Sequence, residues 1–177
     1  GMDYKIELWV SDKYGYKSDS EEVYYHVKGA AEIFAKSASA TSEWGGGVNA
    51  TNTINRSGIS GTSVENYIHD NNKDAKTMWH TRDTSKGVDI TYDFGMIKSV
   101  DQMHVWNMNQ MNNADRGLKN VKIEYSLDNE NWQTLTPQDG LEYLDEKNEE
   151  YPFQLTKASG ENGIKATNLN TENHEPV

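Results

Sequence analysis

Apolar and polar residues alternate along several stretches of the chain, and this pattern predicts strands. In residues 88–94 every second side chain is apolar, and the same period recurs in residues 121–125. The apolar positions in both stretches are β-branched or aromatic: Val88, Ile90, Tyr92, Phe94, Val121, Ile123 and Tyr125. A period of two with such residues is typical of a strand that buries one face. We therefore predict a sheet with one side packed on a core.

The N-terminal residues 1–28 show the same alternation in two stretches, residues 4–10 and 23–27. A turn-rich connection containing Gly15 separates them, so the pattern predicts a β-hairpin. It resembles the closing hairpin of a fibronectin-like or immunoglobulin-like domain. Because an isolated hairpin is only marginally stable in water, it either packs on the following domain or is the remnant of a preceding one. We favour the second interpretation, with a domain boundary between residues 1–28 and 29–177.

A loop-rich segment follows, in which Trp44 precedes three glycines. One interpretation is an aromatic platform on a loop, which would stack on the apolar face of a sugar ring. The other is a tryptophan folded back over the core, with the glycines forming a turn. Loops on rigid scaffolds are where binding residues concentrate, and this favours the first interpretation slightly.

Residues 106–116 form a polar loop that carries a tryptophan, several amide side chains and one arginine. Amides suit sugar recognition because they both donate and accept hydrogen bonds, as a hydroxyl does. With the loop of Trp44 and the histidine beside Trp79, this loop gives our candidate ligand-binding residues: Trp44, His80, Trp106, Asn107, Asn109 and Arg116. His80 could instead cap a strand end, and Arg116 could instead brace the loop.

Composition and charge narrow the range of partners. The chain has 177 residues and a formal net charge of −11, from 17 Lys and Arg against 28 Asp and Glu. Such acidity disfavours nucleic acid and anionic membrane surfaces as partners. No apolar run approaches the roughly 18 residues that a membrane span needs, so membrane insertion is not expected. The chain has no cysteine, which excludes disulfides and thiolate metal sites and fits a bacterial protein.

The order of five short motifs resembles the discoidin, or coagulation-factor type C, domain. The motifs are Asp70, Thr77-Met78-Trp79, Tyr92-Asp93-Phe94-Gly95, Arg116-Gly117, and Tyr125-Ser126-Leu127-Asp128 with Trp132. The sequence is most similar to the galactose-binding-like carbohydrate-binding modules of bacterial surface and secreted proteins. The resemblance covers roughly residues 29–155. It implies an all-β fold, a discoidin-like jelly-roll β-sandwich with binding loops at one end.

Modules of this kind are usually appended to larger proteins and have no catalytic activity of their own. We therefore expect an extracellular or cell-surface protein, with an outer-membrane lipoprotein as one form of it. The targeting signal would lie outside this chain, since no signal-peptide pattern is present and Gly1-Met2 resembles the scar of a tag. Other domains of the same polypeptide would be its partners.

Oxygen donors in the segment after Ile68 raise the question of calcium, which takes six to eight oxygen ligands. The candidate metal ligands are Asp70, Asn72, Asp74 and Thr77. Related modules hold a structural calcium in this loop, which the resemblance extends to this chain. The acidic ligand that such modules take from their final strand has no counterpart here, and an ordinary solvated turn is the alternative. We expect no cofactor to be required, with calcium as a candidate structural ion.

The acidic run in residues 142–150 could suggest a glycosidase, in which two carboxyl groups lie across the scissile bond. Charge runs are usually solvated surfaces, and no nucleophile-and-base pair accompanies this one, so we expect no enzyme. After Phe153 the alternation fades, and we expect no closing strand of the usual type. Either the fold closes differently, with the N-terminal hairpin contributing, or the chain is truncated.

The sequence thus predicts a non-catalytic module that binds a glycan or oligosaccharide. A structural spacer or a protein–protein interaction domain of a multidomain surface protein is the alternative. A surface of low concavity, with Trp44 and Trp106 both buried, would favour that alternative.

Overall fold

The computed structural model describes residues 2–8, 21–27, 32–83, 85, 87–100, 102–135 and 150–170. The chain divides into two units, Gly1–Ile33 and Phe34–Val177. The acidic run at residues 142–149 lies outside the described residues.

The first unit contains one antiparallel pair of strands, β1 (Met2–Leu8) and β2 (Glu21–Val27). The register runs from Met2 opposite Val27 to Leu8 opposite Glu21. These strands overlap the alternating stretches 4–10 and 23–27. Their origin in a preceding fibronectin-like or immunoglobulin-like domain stays a prediction.

The second unit is built from short strands. The first half contains β3 (Ser37–Ala40), β4 (Ile59–Ser60), β5 (Ile68–His69), β6 (Ile90–Asp93) and β7 (Gln102–Val105). The second half contains β8 (Asn120–Val121), β9 (Glu124–Tyr125), β10 (Gln133–Thr134), β11 (Phe153–Gln154) and β12 (Thr167–Asn170). The helices of its described part are three 3-10 turns: Ala50–Thr53, Val64–Asn66 and Ala114–Arg116. The predicted all-β class is confirmed. None of the described helices is long and apolar enough to cross a membrane.

Every strand pair in this unit is antiparallel: β3 with β6, β4 with β5, β7 with β12, β8 with β11, and β9 with β10. β6 falls inside the alternating stretch 88–94, as predicted. The stretch 121–125 does not form one strand, because its two ends pair with different partners. Val121 pairs with Phe153 in β11, whereas Tyr125 pairs with Gln133 in β10.

The larger core cluster consists of Leu135, Phe153, Leu155 and Leu169, with Met103, Val105, Val121, Ile123 and Tyr125 packed against it. A second cluster joins Val48, Ala75, Met78 and Met108. Burial of each large apolar side chain contributes about 1.5–3 kcal/mol. The first cluster contains residues of the strands, and the second joins residues of the loops between them.

The segment after Phe153 corrects a prediction from the sequence. Residues Thr167–Asn170 form β12 and pair with β7 along four positions, and Leu169 enters the core. Residues Thr167–Asn170 show little alternation of apolar and polar side chains, because Leu169 is the only large apolar residue of this strand. A strand does therefore follow Phe153, although the sequence pattern predicted none.

Candidate functional site

Trp44 and His80 lie side by side on two neighbouring loops. The centres of their rings are 5.3 Å apart, and the ring planes meet at 87°, an edge-to-face contact. The backbone N–H of Trp44 donates a hydrogen bond of 2.8 Å to the carbonyl of His80. Half of the Trp44 side chain remains exposed, at 51%. The two residues therefore form one surface feature that a ligand can reach.

The three glycines after Trp44 explain why this tryptophan stays outside. Gly45, Gly46 and Gly47 all have positive φ angles of 85°, 64° and 93°. Glycine adopts this region without the steric cost that other residues meet. The turn brings Val48 into the core while Trp44 remains at the surface.

Hydrogen bonds from the interior anchor the Trp44 loop. The indole N–H of Trp79 donates to the carbonyl of Ser42 at 3.2 Å. The hydroxyl of Ser42 accepts the backbone N–H groups of Arg82 and Asp83, at 3.2 and 3.1 Å. Ser42 therefore ties the loop of Trp44 to the loop of His80, and Trp79 serves the scaffold.

His80 has an unusual environment for a surface loop. Its Nδ1 is buried and has no hydrogen-bond partner among the described residues. Burial lowers the pKa of the imidazole, and the positive charge of Arg116 lowers this pKa further. Both effects favour the uncharged form of the ring.

Arg116 is exposed at the end of the 3-10 turn Ala114–Arg116. The chain directly after it is fixed by the side chain of Asn107. The Oδ1 of Asn107 accepts the N–H of Leu118 at 2.9 Å, and its Nδ2 donates to the carbonyl of Leu118 at 2.6 Å. A Cβ on Gly117 would come within 2.6 Å of that Oδ1, so only glycine fits there. Asn107 thus positions the segment that carries Arg116.

The burial of Asn107 removes it from the set of ligand contacts. Besides Leu118, its amide donates to the carbonyl of Thr156 at 3.0 Å and accepts the N–H of Met108 at 2.9 Å. The side chain is buried, and no donor or acceptor is left for a sugar. The prediction that Asn107 contacts the ligand is therefore corrected to a positioning role.

Asn109 is corrected in the same way. Its exposed fraction is 0%. Its Nδ2 donates to the carbonyls of Asp70 and Glu161, and its Oδ1 accepts the N–H of Gly160. It connects three segments that are distant in sequence, and it cannot contact a ligand at the surface.

Trp106 belongs to a second aromatic cluster. Its indole N–H donates to the carbonyl of Tyr67 at 3.4 Å. Its ring lies 6.3 Å from the ring of Tyr67 and 6.4 Å from that of His104. Trp106 is half-buried in this cluster, so the structure does not group it with Trp44 and His80.

Sequence reasoning missed Arg82. The centre of its guanidinium group lies 5.8 Å from the centre of the Trp44 ring, within the range of a cation–π contact. The sequence contains one indication of this role. Arg82 follows His80 by two positions, and alternate residues of an extended segment point to the same side. Arg82 therefore joins Trp44, His80 and Arg116 in the candidate site.

The candidate calcium loop is held by its own hydrogen bonds. The Oδ1 of Asp70 accepts the hydroxyl of Thr77 at 2.9 Å and the N–H of Asn72 at 3.4 Å. The Oδ1 of Asn72 accepts the N–H of Asp74 at 2.9 Å. This last hydrogen bond turns the oxygen of Asn72 towards the backbone. No group of three or more His, Cys, Asp or Glu suited to a metal occurs in the described part of the chain. Calcium at Asp70, Asn72, Asp74 and Thr77 therefore stays a prediction.

Comparison with known proteins identifies the family. The sequence model of the F5/F8 type C family described as "NedA-like, galactose-binding domain" matches residues 67–160, which is more than half of the chain. Searches of curated proteins and of solved structures find no significant match. The matched segment includes His80, Arg82 and Arg116, and the all-β architecture agrees with a galactose-binding-like β-sandwich. This chain belongs to the F5/F8 type C family of galactose-binding-like, discoidin-type domains.

Proposed function

We propose that this chain is a non-catalytic carbohydrate-binding module whose site is formed by Trp44, His80 and Arg116. Domains of its family are generally non-catalytic modules that bind carbohydrates or proteins. The observation that carries the proposal is the half-exposed Trp44 in contact with His80, whose uncharged form is favoured.

Each of the three side chains offers an interaction that a sugar needs. An exposed indole ring packs on the apolar C–H face of a pyranose. Because the Nδ1 of His80 is buried, the imidazole would offer its Nε2 to a sugar hydroxyl, as donor or acceptor. The guanidinium group of Arg116 presents a rigid set of donors suited to two neighbouring hydroxyls. Together these groups would recognise the apolar face and the polar edge of one sugar residue.

The scaffold supports this assignment through residues that do not touch the ligand. Asn107 fixes the backbone beside Arg116, and Ser42 fixes the loops of Trp44 and His80. Sites held by hydrogen bonds lose less entropy on binding, because their groups are already in place. Sugar binding is weak per contact, so this preorganisation matters for affinity.

The test is a glycan-array screen followed by titration calorimetry on the best hit, with Trp44→Ala as the key variant. We expect Trp44→Ala to lower the affinity about tenfold or more, since a central aromatic contact supplies more than 1 kcal/mol. Trp132→Ala is the matched control, because Trp132 is similarly exposed at 46% and lies outside the Trp44–His80 contact. Equal affinities of the two variants for the glycan would refute this site.

The alternative proposal is a spacer or protein-interaction domain. The observation in its favour is the pair Met96 and Ile97 on the loop after β6, whose side chains are about two-thirds exposed at 66% and 65%. Large exposed apolar side chains in contiguous patches often mark interaction surfaces. The exposure of Trp44 favours the carbohydrate-binding proposal, because a spacer domain is expected to bury both Trp44 and Trp106. A folded chain that binds no glycan on the array would support the alternative.

The location and the wider partners are also proposals. Domains of this family are typically extracellular, and we propose an extracellular or cell-surface position within a larger bacterial protein. Other domains of the same polypeptide would then be its neighbours. We propose that no cofactor is required, with calcium at Asp70, Asn72, Asp74 and Thr77 as an optional structural ion.

A further inference from the structure

We propose that the ligand is an acidic sugar, a uronic or sialic acid residue, whose carboxylate is recognised by Arg82. This inference rests on the proposed function of the same site, and it names the chemical class of the ligand. It assigns a specificity role to Arg82.

Arg82 is held at the edge of the site by its backbone. Its N–H donates to the hydroxyl of Ser42 at 3.2 Å, and the neighbouring turn is closed between Thr81 and Asp83. The guanidinium group lies 5.8 Å from the ring centre of Trp44. A ligand stacked on Trp44 would therefore have this group within reach of its substituents.

Neither Arg82 nor Arg116 forms an ion pair with a carboxylate in the part of the chain that the structure describes. Two carboxylates near this contact in the sequence hydrogen-bond to other groups. The carboxylate of Asp83 accepts the N–H and the hydroxyl of Ser85, at 2.9 and 2.6 Å. The carboxylate of Glu43 accepts the N–H of Ala50 at 2.8 Å. The guanidinium group of Arg82 therefore lies beside Trp44 without an ion-pair partner among the described residues.

This arrangement contrasts with the charge of the whole molecule. The chain has 28 acidic residues against 17 basic ones, a formal net charge of −11. Among its three arginines, Arg82 is the one whose guanidinium group lies near the ring of Trp44.

A carboxylate on the sugar would complete the site. Arginine and carboxylate match in geometry, since the planar guanidinium group can donate two parallel hydrogen bonds. A neutral hydroxymethyl group at the same position would gain less from the guanidinium group of Arg82. The competing role for Arg82 is to cover Trp44 through the cation–π contact alone. That role predicts no preference for an acidic sugar.

Matched pairs of ligands separate these roles. The probes are galacturonic acid against galactose, glucuronic acid against glucose, and a sialic acid methyl glycoside against its methyl ester, each titrated calorimetrically. We expect the acid of at least one pair to bind tenfold or more tightly than its neutral partner. Because the gain is electrostatic, raising the salt concentration should reduce it.

Arg82→Gln is the decisive variant, because it keeps the size of the side chain and removes the charge. We expect it to abolish the preference for the acid, measured as the ratio of the affinities for the acid and for its neutral partner. Arg56→Gln is the matched control, since Arg56 lies over Phe34 and Tyr67 in another cluster. Thermal melting of both variants checks that they fold as the unaltered chain does.

The outcomes distinguish this inference from the proposed function. Neutral sugars that bind as tightly as their acids, with Arg82→Gln unchanged, would overturn the acidic ligand and leave carbohydrate binding in place. A folded chain that binds none of the six probes, and no glycan on the array, would overturn both. A preference for the acid that survives in Arg82→Gln would overturn the role of Arg82.

Discussion

At the scale of single residues, two asparagines show how burial decides a role. Asn107 and Asn109 look like sugar-binding residues in the sequence because they lie in a polar loop beside Trp106. In the folded chain both amides are saturated by backbone groups. A buried amide that connects separate segments contributes more to the free energy of unfolding than an exposed amide does. Its removal leaves buried polar groups without a hydrogen-bond partner.

We therefore expect Asn107→Ala to lower the free energy of unfolding by about 2–4 kcal/mol, because the buried N–H of Met108 and the part-buried backbone groups of Leu118 and Thr156 would lose their partners. Urea denaturation measures this loss. Asn113→Ala is the matched control, since its amide makes one exposed hydrogen bond of 3.4 Å, and we expect a change below about 0.5 kcal/mol. A stable Asn107→Ala that has lost only ligand binding would contradict the positioning role.

At the scale of the element, the residues of the candidate site lie on loops rather than on strands. The Trp44 loop needs its glycines to turn, and the Asp70 loop closes on its own side chains. The strands beneath are short, and each contributes few residues to the core. Such loops stay in place because residues from other segments, such as Ser42 and Asn109, tie them down.

The Asp70 loop gives a test that also addresses calcium. Asp70→Ala removes the acceptor for the hydroxyl of Thr77 and for the N–H of Asn72, and we expect a loss of about 1–3 kcal/mol. Because these hydrogen bonds belong to the chain itself, the loss should persist with EDTA in thermal melts. A structural calcium at Asp70 would make the loss larger when calcium is added.

A loss that occurs only with calcium present would show instead that Asp70 acts as a metal ligand. Asp74→Ala is the control for this comparison. The Asp74 side chain is exposed and only its backbone N–H takes part in the loop, so we expect little change in either buffer.

At the scale of the whole molecule, the second unit depends on contacts between distant parts of the chain. β12 pairs with β7, and Leu169 packs with Leu135, Phe153 and Leu155. The last described strand is therefore part of the core. Long-range pairing of this kind is the usual way in which antiparallel sandwiches close.

Leu169→Ala tests that contribution. We expect a loss of about 2–5 kcal/mol, since a buried leucine is replaced by a smaller side chain and leaves a cavity. Leu127→Ala is the control, because Leu127 is exposed and should change stability by less than about 0.5 kcal/mol. Denaturant midpoints for the two variants give the comparison, and equal midpoints would show that β12 does not contribute to the core.

The sequence alone determined the features that depend on local pattern. A period of two places β6 where it lies, because side chains of a strand alternate between its faces. The order of the motifs indicated the family, and the glycines after Trp44 indicated a turn beside an aromatic residue. His80 and Arg116 could be suggested because their chemical groups suit a sugar.

Only the tertiary structure decided which polar residues face solvent and which hold the fold. Asn107 and His80 have equally polar side chains, yet the first is saturated by the backbone of residues 118 and 156 and the second lies beside Trp44. Those partners are distant in the sequence, so no local pattern contains them. β12 and Arg82 were not predicted for the same reason. β12 is defined by its pairing with β7, and Arg82 by its contact with Trp44, and both partners are distant in the sequence.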